Sequence, residues 1–314
     1  MSDWFDYEYA GFLVRSRVEF PGVERLVSGR EPEVVVDWGA VPPVPNPRSL
    51  SETWSMLGTT LVIQVEGVAR FAVTSERTVA VEAVPEASAK DMALYLMGPV
   101  LGAICHLRGV FPLHASAVRT GDSCVAFAGP SGAGKSTIAG FLTRQGFELV
   151  ADDVCVVASS DPLAVWPGPP RLKLSTDGLE AMNEDWSGLA HAGGTRERYH
   201  LARERGKRSR DPVPLSRLYV METGPELRLE SVTGLDAVRA VTSQTYCLGF
   251  VDALGVSAAH FQLSVNVAKR LEIRRLIRPL GFEHMDRILH LLEADWQAAA
   301  AAGTATHDSG GSNA

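Results

Sequence analysis

No two cysteines of this sequence stand close together. Cys105, Cys124, Cys155 and Cys247 occur singly, with no C-x-x-C pair and no Cys/His cluster at ligand spacing, so neither a disulfide scaffold nor a structural zinc site is expected. They read as reduced core residues of a cytoplasmic protein. Long apolar runs are also missing. A membrane-spanning helix needs roughly 18 apolar residues, and even residues 92–118 are interrupted by His106 and Arg108. The opening MSDWFDYEYA lacks a basic region ahead of an apolar run, so no secretory signal is expected. Positive charge is in deficit: 30 Lys and Arg against 37 Asp and Glu leave a formal charge of -7. Neutralising nucleic-acid phosphates over a whole surface requires the opposite balance. A soluble protein is expected, with neither a membrane nor a nucleic acid as partner.

What remains suffices for one good core or two modest ones: 314 residues, 46% hydrophobic and 21% charged. Residues 1–90 read as a smaller β-rich domain, with apolar runs GFLVRSRVEF, EVVVDWG, LVIQVEG, ARFAVTS and TVAVEAV separated by Gly, Pro and polar residues. The clearest hairpin spans 68–84, with Ser75, Glu76 and Arg77 as its turn. Pro42, Pro43, Pro45 and Pro47 cannot donate ladder hydrogen bonds and predict a stiff loop inside this region.

From Asp91 the pattern becomes helical (DMALYLMGPVLGAICHLRG) and then alternates. The strand SCVAFAG leads through a Gly-rich turn to the helix KSTIAGFLTRQG, closed by Gly146, and on to a strand ELVADDVCVVA. That unit predicts an α/β domain over 91–297 with a central parallel or mixed sheet covered by helices. SRLYVMET and EIRRLIRP are further strands, Thr233 and Asp236 stand at capping-box spacing, and Met285, Ile288, Leu289 and Leu292 form a helical stripe. Residues 298–314 have too little apolar bulk to pack and read as a disordered tail.

Gly129, Pro130, Ser131, Gly132, Ala133, Gly134, Lys135, Ser136 and Thr137 match G-x-x-x-x-G-K-[ST] in full, between a predicted strand and a predicted helix. Glycines let successive backbone N–H groups turn inward around phosphate oxygens, and the helix N-terminus adds positive potential. The motif therefore predicts a nucleotide site for ATP. Lys135 is expected to reach the β and γ phosphates and Ser136 to offer its hydroxyl to Mg²⁺. Asp152 and Asp153 end the next strand, where an open α/β sheet presents side chains to a ligand. An arbitrary Asp-Asp pair usually makes a turn or a cap. Beside Mg²⁺ and ATP, one carboxylate can hold the metal and the other can accept the proton of an attacking hydroxyl. His114, in PLHASAV, is by itself an ordinary core or hydrogen-bonding histidine.

Taken together, LHASAV, GPSGAGKST and GFELVADD resemble the catalytic domain of the HPr serine kinase/phosphorylase family, and more closely the HPr-kinase-related proteins of peptide-maturation gene clusters. The likeness covers residues 90–160 well and the chain to about 295 weakly. It implies a P-loop kinase domain in a closed homo-oligomer, phosphorylating a hydroxyl, serine above all, of a peptide, protein or small molecule. It also implies that Asp153 accepts the hydroxyl proton, Lys135 anchors phosphate, Ser136 binds Mg²⁺ and His114 belongs to the site. Asp152 is the second carboxylate available to the metal. Two parts of the family pattern are missing. WPGPPRLKLSTDG carries Arg171, Lys173 and Asp177 where a metal-binding glutamate stands in the family, and no P-G-R-N segment occurs.

Residues 196–210 hold six arginines and one lysine against two glutamates. Such a run is ordinarily a solvated surface, and alternatively a lid or dock for an acidic acceptor. Two further functions stay open from the residues alone: an NTPase without acceptor, although LSGGQ is missing and the strand ends Asp-Asp, and a module that senses ATP without chemistry.

Overall fold

The computed structural model describes residues 3–27, 29–45, 52–192, 197–202 and 210–308. The first region is a mixed seven-stranded sheet. Its strands are β1 (Phe5–Tyr9), β2 (Phe12–Ser16), β3 (Val34–Trp38), β4 (Glu52–Leu57), β5 (Thr60–Val65), β6 (Ala69–Val73) and β7 (Thr78–Ala83), in the order β1-β2-β3-β7-β6-β5-β4. The two edges, β1 and β4, are the strands without an apolar run in the sequence, because an edge strand tolerates polar residues that a central one does not. β6 and β7 form the expected hairpin around Ser75, Glu76 and Arg77. The described part of the proline-rich stretch is irregular, and its Val41 and Val44 pack on Val62 and Ala72.

Next come α1 (Ala89–Tyr95), a π-helical turn over Leu96–Val100, and α2 (Leu101–Leu107). Ser88 caps α1 by accepting from Asp91 N at 3.1 Å. Pro99 removes a backbone donor inside the segment and Gly98 leaves helical geometry (φ -108, ψ -108), so the path is kinked. Met92, Ala93, Leu96, Met97, Val100 and Ile104 share one core with Tyr9, Ile63 and Phe71 of the first sheet, and that core continues to Val154 and Val156. The helical segment, grouped by sequence with the α/β region, thus buries its apolar face against the first sheet.

The rest is a mixed α/β arrangement. Its elements are β8 (Phe111–Leu113), β9 (Ala115–Thr120), β10 (Ser123–Ala128), α3 (Lys135–Arg144), β11 (Leu149–Ala151), β12 (Cys155–Ala158), β13 (Ala164–Val165), β14 (Arg171–Ser175) and α4 (Thr176–Ala181). They continue with β15 (Ala190–His191), β16 (Arg198–Ala202), β17 (Val213–Thr223), β18 (Arg228–Ser231), α5 (Gly234–Ser243), α6 (Gly249–Ala253), α7 (Ser257–Arg270), β19 (Glu272–Arg278) and α8 (Met285–Asp308). At the centre β10, β17 and β19 are parallel, flanked by antiparallel β9 with β11 on one side and β18 on the other.

Side chains alternate across this sheet as the pleat requires. Val125 and Phe127 of β10 join Ile138 and Leu142 of α3 and Ile288, Leu289 and Leu292 of α8. Cys124, Ala126 and Ala128 face the opposite way, with Val241 of α5 and Val267 of α7. Helices therefore cover both faces, which is why the central strands are almost wholly apolar. A small antiparallel sheet, β14-β16-β15, stands beside α3.

Three local expectations are corrected. ELVADDVCVVA is two strands rather than one: β11 pairs with β9, β12 pairs with β8 and β13, and the chain turns between them at Asp153, whose φ is +70°. Thr233 precedes α5 without a side-chain cap, and the Asp236 carboxylate accepts from Arg239 at 3.2 Å. Helical backbone continues past Ala298 to Asp308, in keeping with the high helix propensity of alanine.

Candidate active site

The loop from Gly129 to Gly134 leaves the carboxyl end of β10 and delivers Lys135 to the first turn of α3. Its glycines are sterically required. Gly132 and Gly134 have φ of +91° and +88°, and a Cβ on Gly129 would meet Met221 O at 3.1 Å and Ala133 Cβ at 3.2 Å. A Cβ on Gly134 would lie 2.5 Å from Arg278 Nη2. That guanidinium comes from the end of β19, is buried, and donates to Ala133 O. Parallel β19 thus braces the loop that parallel β10 launches. Lys135 is 7% exposed and donates to Gly129 O at 2.9 Å and Pro130 O at 3.3 Å. Burial lowers its pKa, while Asp153 and Asp152 act to raise it.

Asp152 follows the end of β11 and gathers three donors. Oδ1 accepts from Ser116 Oγ at 2.6 Å and from Ser136 Oγ at 2.8 Å, and Oδ2 accepts from Lys173 N at 2.7 Å. Burial raises the pKa of this carboxyl and Ser116 is the leading opposing influence. Asp153 turns the other way because of its left-handed backbone, a conformation that aspartate tolerates better than most residues and that is frequent at functional sites. Its Oδ1 lies 3.5 Å from His114 Nε2 and its Oδ2 lies 3.9 Å from Lys173 Nζ.

His114 sits between β8 and β9, with its backbone N–H donating to Gln244 O at 2.8 Å and its ring edge-on to Tyr246. Burial, then the charge of Lys135, pushes its pKa down to about 4, against the pull of Asp153. The imidazole is therefore neutral near pH 7, and its contact with Asp153 is that of a neutral ring with a carboxylate.

The residues singled out from sequence lie near one another: the 129–134 loop, Lys135, Ser136, Asp152, Asp153 and His114. Ser131 accepts from Arg198 Nη2 at 3.4 Å, and Thr137 lies toward Gly178 of α4. Asp177, in contrast, is exposed in the first turn of α4. Two spaces adjoin the cluster. A small cavity of about 70 Å³ is lined by Asp152 and Asp153, with Arg171, Lys173 and His200 also in its wall. A broad groove of about 870 Å³ runs along the outside of the loop past Pro130, Ala133, Met221, Arg239 and Arg275.

Comparison with known proteins gives a thin return. No protein-family model matches the chain, and no curated protein matches it. Among solved structures, the HPr(Ser) kinase/phosphatase of Coxiella burnetii is similar at a TM-score of 0.33 and 11% identity, over 62% of this chain and 96% of that one. At that level of likeness no residue role passes from one protein to the other.

Several residues of the site had no sequence signal of their own. Ser116 is an unremarked serine in LHASAV, yet it is fully buried against Asp152. Arg278 is one of several arginines in EIRRLIRP, and only the parallel pairing of β19 with β17 brings it to the loop. Of the basic 196–210 run, Arg198 reaches Ser131, His200 enters the small cavity and Arg210 pairs with Glu24 at 2.7 Å. Residues 196 and 203–209 lie outside the described set. Among the described residues, no helix is long and apolar enough to cross a membrane, and no three His, Cys, Asp or Glu side chains form a metal-holding group.

Proposed function

We propose that this chain is an ATP-dependent phosphotransferase that delivers the γ-phosphoryl group to a hydroxyl acceptor. The observation that carries this reading is the division of labour between Asp152 and Asp153. Asp152 is bonded to Ser136, directly after the glycine-rich loop, while Asp153 lies 3.5 Å from His114 Nε2; both aspartates line the small cavity. One carboxylate is thus held by three hydrogen bonds, one of them from the serine after the loop, and the other has only looser contacts, with His114 and Lys173.

On the nucleotide side, the 129–134 loop and Lys135 would bind the phosphates, and the broad groove outside the loop has room for the nucleoside. The Ser136 hydroxyl and the Asp152 carboxylate are hard oxygen donors that fit Mg²⁺, a cation commonly held by one or two carboxylates together with substrate phosphates. When bound, the ion would neutralise charge on the phosphates.

On the acceptor side, Asp153 takes the hydroxyl proton as the oxygen attacks the γ-phosphorus. The new O–P bond forms, the bond from phosphorus to the β–γ bridging oxygen breaks, and ADP leaves with that electron pair. Neutral His114 and the Lys173 ammonium orient the Asp153 carboxylate. Lys135 and Arg198, both bonded to the loop, would stabilise negative charge on the transferred group.

The test is transfer from γ-labelled ATP to candidate hydroxyl acceptors, comparing the native chain with Asp153→Asn. Acceptor labelling that disappears in the variant, with nucleotide binding retained, is the expected result. Steady ATP hydrolysis that no acceptor changes would replace this reading with that of a plain NTPase.

A further inference from the structure

The small cavity lined by Asp152 and Asp153 also holds Arg171, Lys173 and His200, more basic groups than proton abstraction requires. Arg171 and Lys173 are two residues apart on β14, and His200 is the direct cross-strand partner of Lys173 on β16. The pleat therefore puts all three on one face, while Leu172, Leu174 and Leu201 turn to the other and are buried. The three side chains are not equivalent. Lys173 is engaged with Asp153 at 3.9 Å. Among the described residues, no carboxylate lies within ion-pair distance of the Arg171 guanidinium. Both ring nitrogens of His200 are shielded from solvent and lack any hydrogen-bond partner among the described residues. Buried polar atoms are nearly always satisfied, so an orphaned imidazole beside an unpaired guanidinium calls for a ligand.

The remaining walls specify the ligand's size and polarity. Tyr9 enters from the first sheet, its hydroxyl donating to Met97 O at 3.4 Å, and Met97 itself closes the cavity from the kinked helical segment. The volume of about 70 Å³ limits the ligand to a small molecule. Asp152 and Asp153 form one part of the wall, and Arg171 and His200 form another.

Building on the phosphotransferase reading, we infer that the acceptor is a small anionic alcohol, whose carboxylate or phosphate is held by Arg171 and His200 while its hydroxyl faces Asp153. A guanidinium takes either anion through paired N–H donors, and the imidazole adds a third donor from its N–H. Neutral His200 is favoured in the empty cavity because burial, then Arg171, holds its pKa down to about 3. A bound anion raises that value, so anion affinity should strengthen as pH falls, provided the ligand remains ionised.

The experiment is calorimetric titration of the full chain, without nucleotide, using D-glycerate, glycerol 3-phosphate and glycerol. Binding of either anion, and at least about tenfold weaker binding of glycerol, is expected from the strength of charge-assisted hydrogen bonds. Arg171→Ala and His200→Phe should each weaken that binding about tenfold or more, with unchanged circular dichroism showing that they fold. Should Arg171→Ala misfold, His200→Phe decides the matter alone. Lys135→Ala should leave the anion affinity within about twofold, since that ammonium is bonded to the loop carbonyls.

Loss of anion binding in Lys135→Ala, with both cavity variants unaffected, would move the anion to the glycine-rich loop and overturn the inference. Equal affinity for glycerol and the two anions, or no affinity for either anion, would do so as well. The phosphotransferase reading is judged separately, by ATP binding and labelled transfer. An intact anion site in a chain that does not bind ATP would refute that reading alone.

Discussion

Asp152 accepts a 2.8 Å hydrogen bond from Ser136 Oγ, joining the end of β11 to the first turn of α3. The same carboxylate also accepts from Ser116 on β9 and from the backbone of Lys173 on β14, so four elements meet at one half-buried carboxylate. A site organised in this way makes clear demands on its residues.

Replacing Asp152 by alanine strands the hydroxyls of Ser116 and Ser136 and the Lys173 N–H together. Leaving a buried donor unsatisfied costs about 1–3 kcal/mol, so urea denaturation should show a loss of about 2 kcal/mol or more. Asp152→Asn keeps acceptor capacity and should lose less stability while still weakening Mg²⁺-dependent nucleotide affinity. Equal stability of the alanine variant and the native chain would mean that the hydrogen-bond cluster contributes nothing.

Asp153 has a different role, and its removal should appear in rate rather than in folding. Proton transfer by a positioned base contributes about 10²–10⁴-fold, so Asp153→Asn should reduce labelled transfer by that order. The melting temperature should change little, since Asp153 is partly exposed and its two neighbours, the neutral His114 ring and the Lys173 ammonium, stand 3.5 and 3.9 Å away. Single-turnover kinetics in the presence of saturating ATP separates the two effects.

Gly134→Ala tests the bracing of the loop by β19. It combines a left-handed φ of +88° with a Cβ placed 2.5 Å from Arg278 Nη2. Gly109→Ala is the matched control, having φ of +65° and no neighbour within 4 Å of the added atom. The conformational penalty alone is about 1 kcal/mol in both. The control should therefore lose about 2–4 °C in Tm, and Gly134→Ala should lose more and bind nucleotide more weakly. Indistinguishable melting curves for the two variants would show that Arg278 yields freely.

Stability should fall as pH drops from about 6.5 toward 4. Burial holds His114 and His260 at about 4 and His200 at about 3, each below its unfolded value of 6.5. In that window the unfolded chain binds more protons, which makes the unfolding free energy rise with pH. Asp152 acts with the opposite sign, because its raised pKa lets the folded chain hold a proton more readily as pH falls. Urea titrations at pH 7.5 and 5 should give the lower midpoint at pH 5. His260→Gln, which keeps a polar partner for Thr245, should flatten the slope; a steeper slope would contradict the assignment.

Local sequence patterns determined the glycine-rich loop between β10 and α3, the apolar stripe of α8 and most strands of the first sheet. In each, a short-range rule acts without competition: glycine where φ is positive, apolar residues at the helical or strand period. Such rules also placed Asp152 and Asp153 after a strand. That the CVVA after the aspartates pairs with other neighbours than the LVA before them was not legible, because both segments are similarly apolar and only the pairing of β11 with β9 and of β12 with β8 separates them. Tertiary structure alone decided that Ser116, Arg278, His200 and Tyr9 meet the loop and the carboxylates. Those residues lie on strands far apart in sequence. The reason is physical: hydrogen-bonded pairing between distant strands fixes which side chains share a face, and no local periodicity encodes that choice.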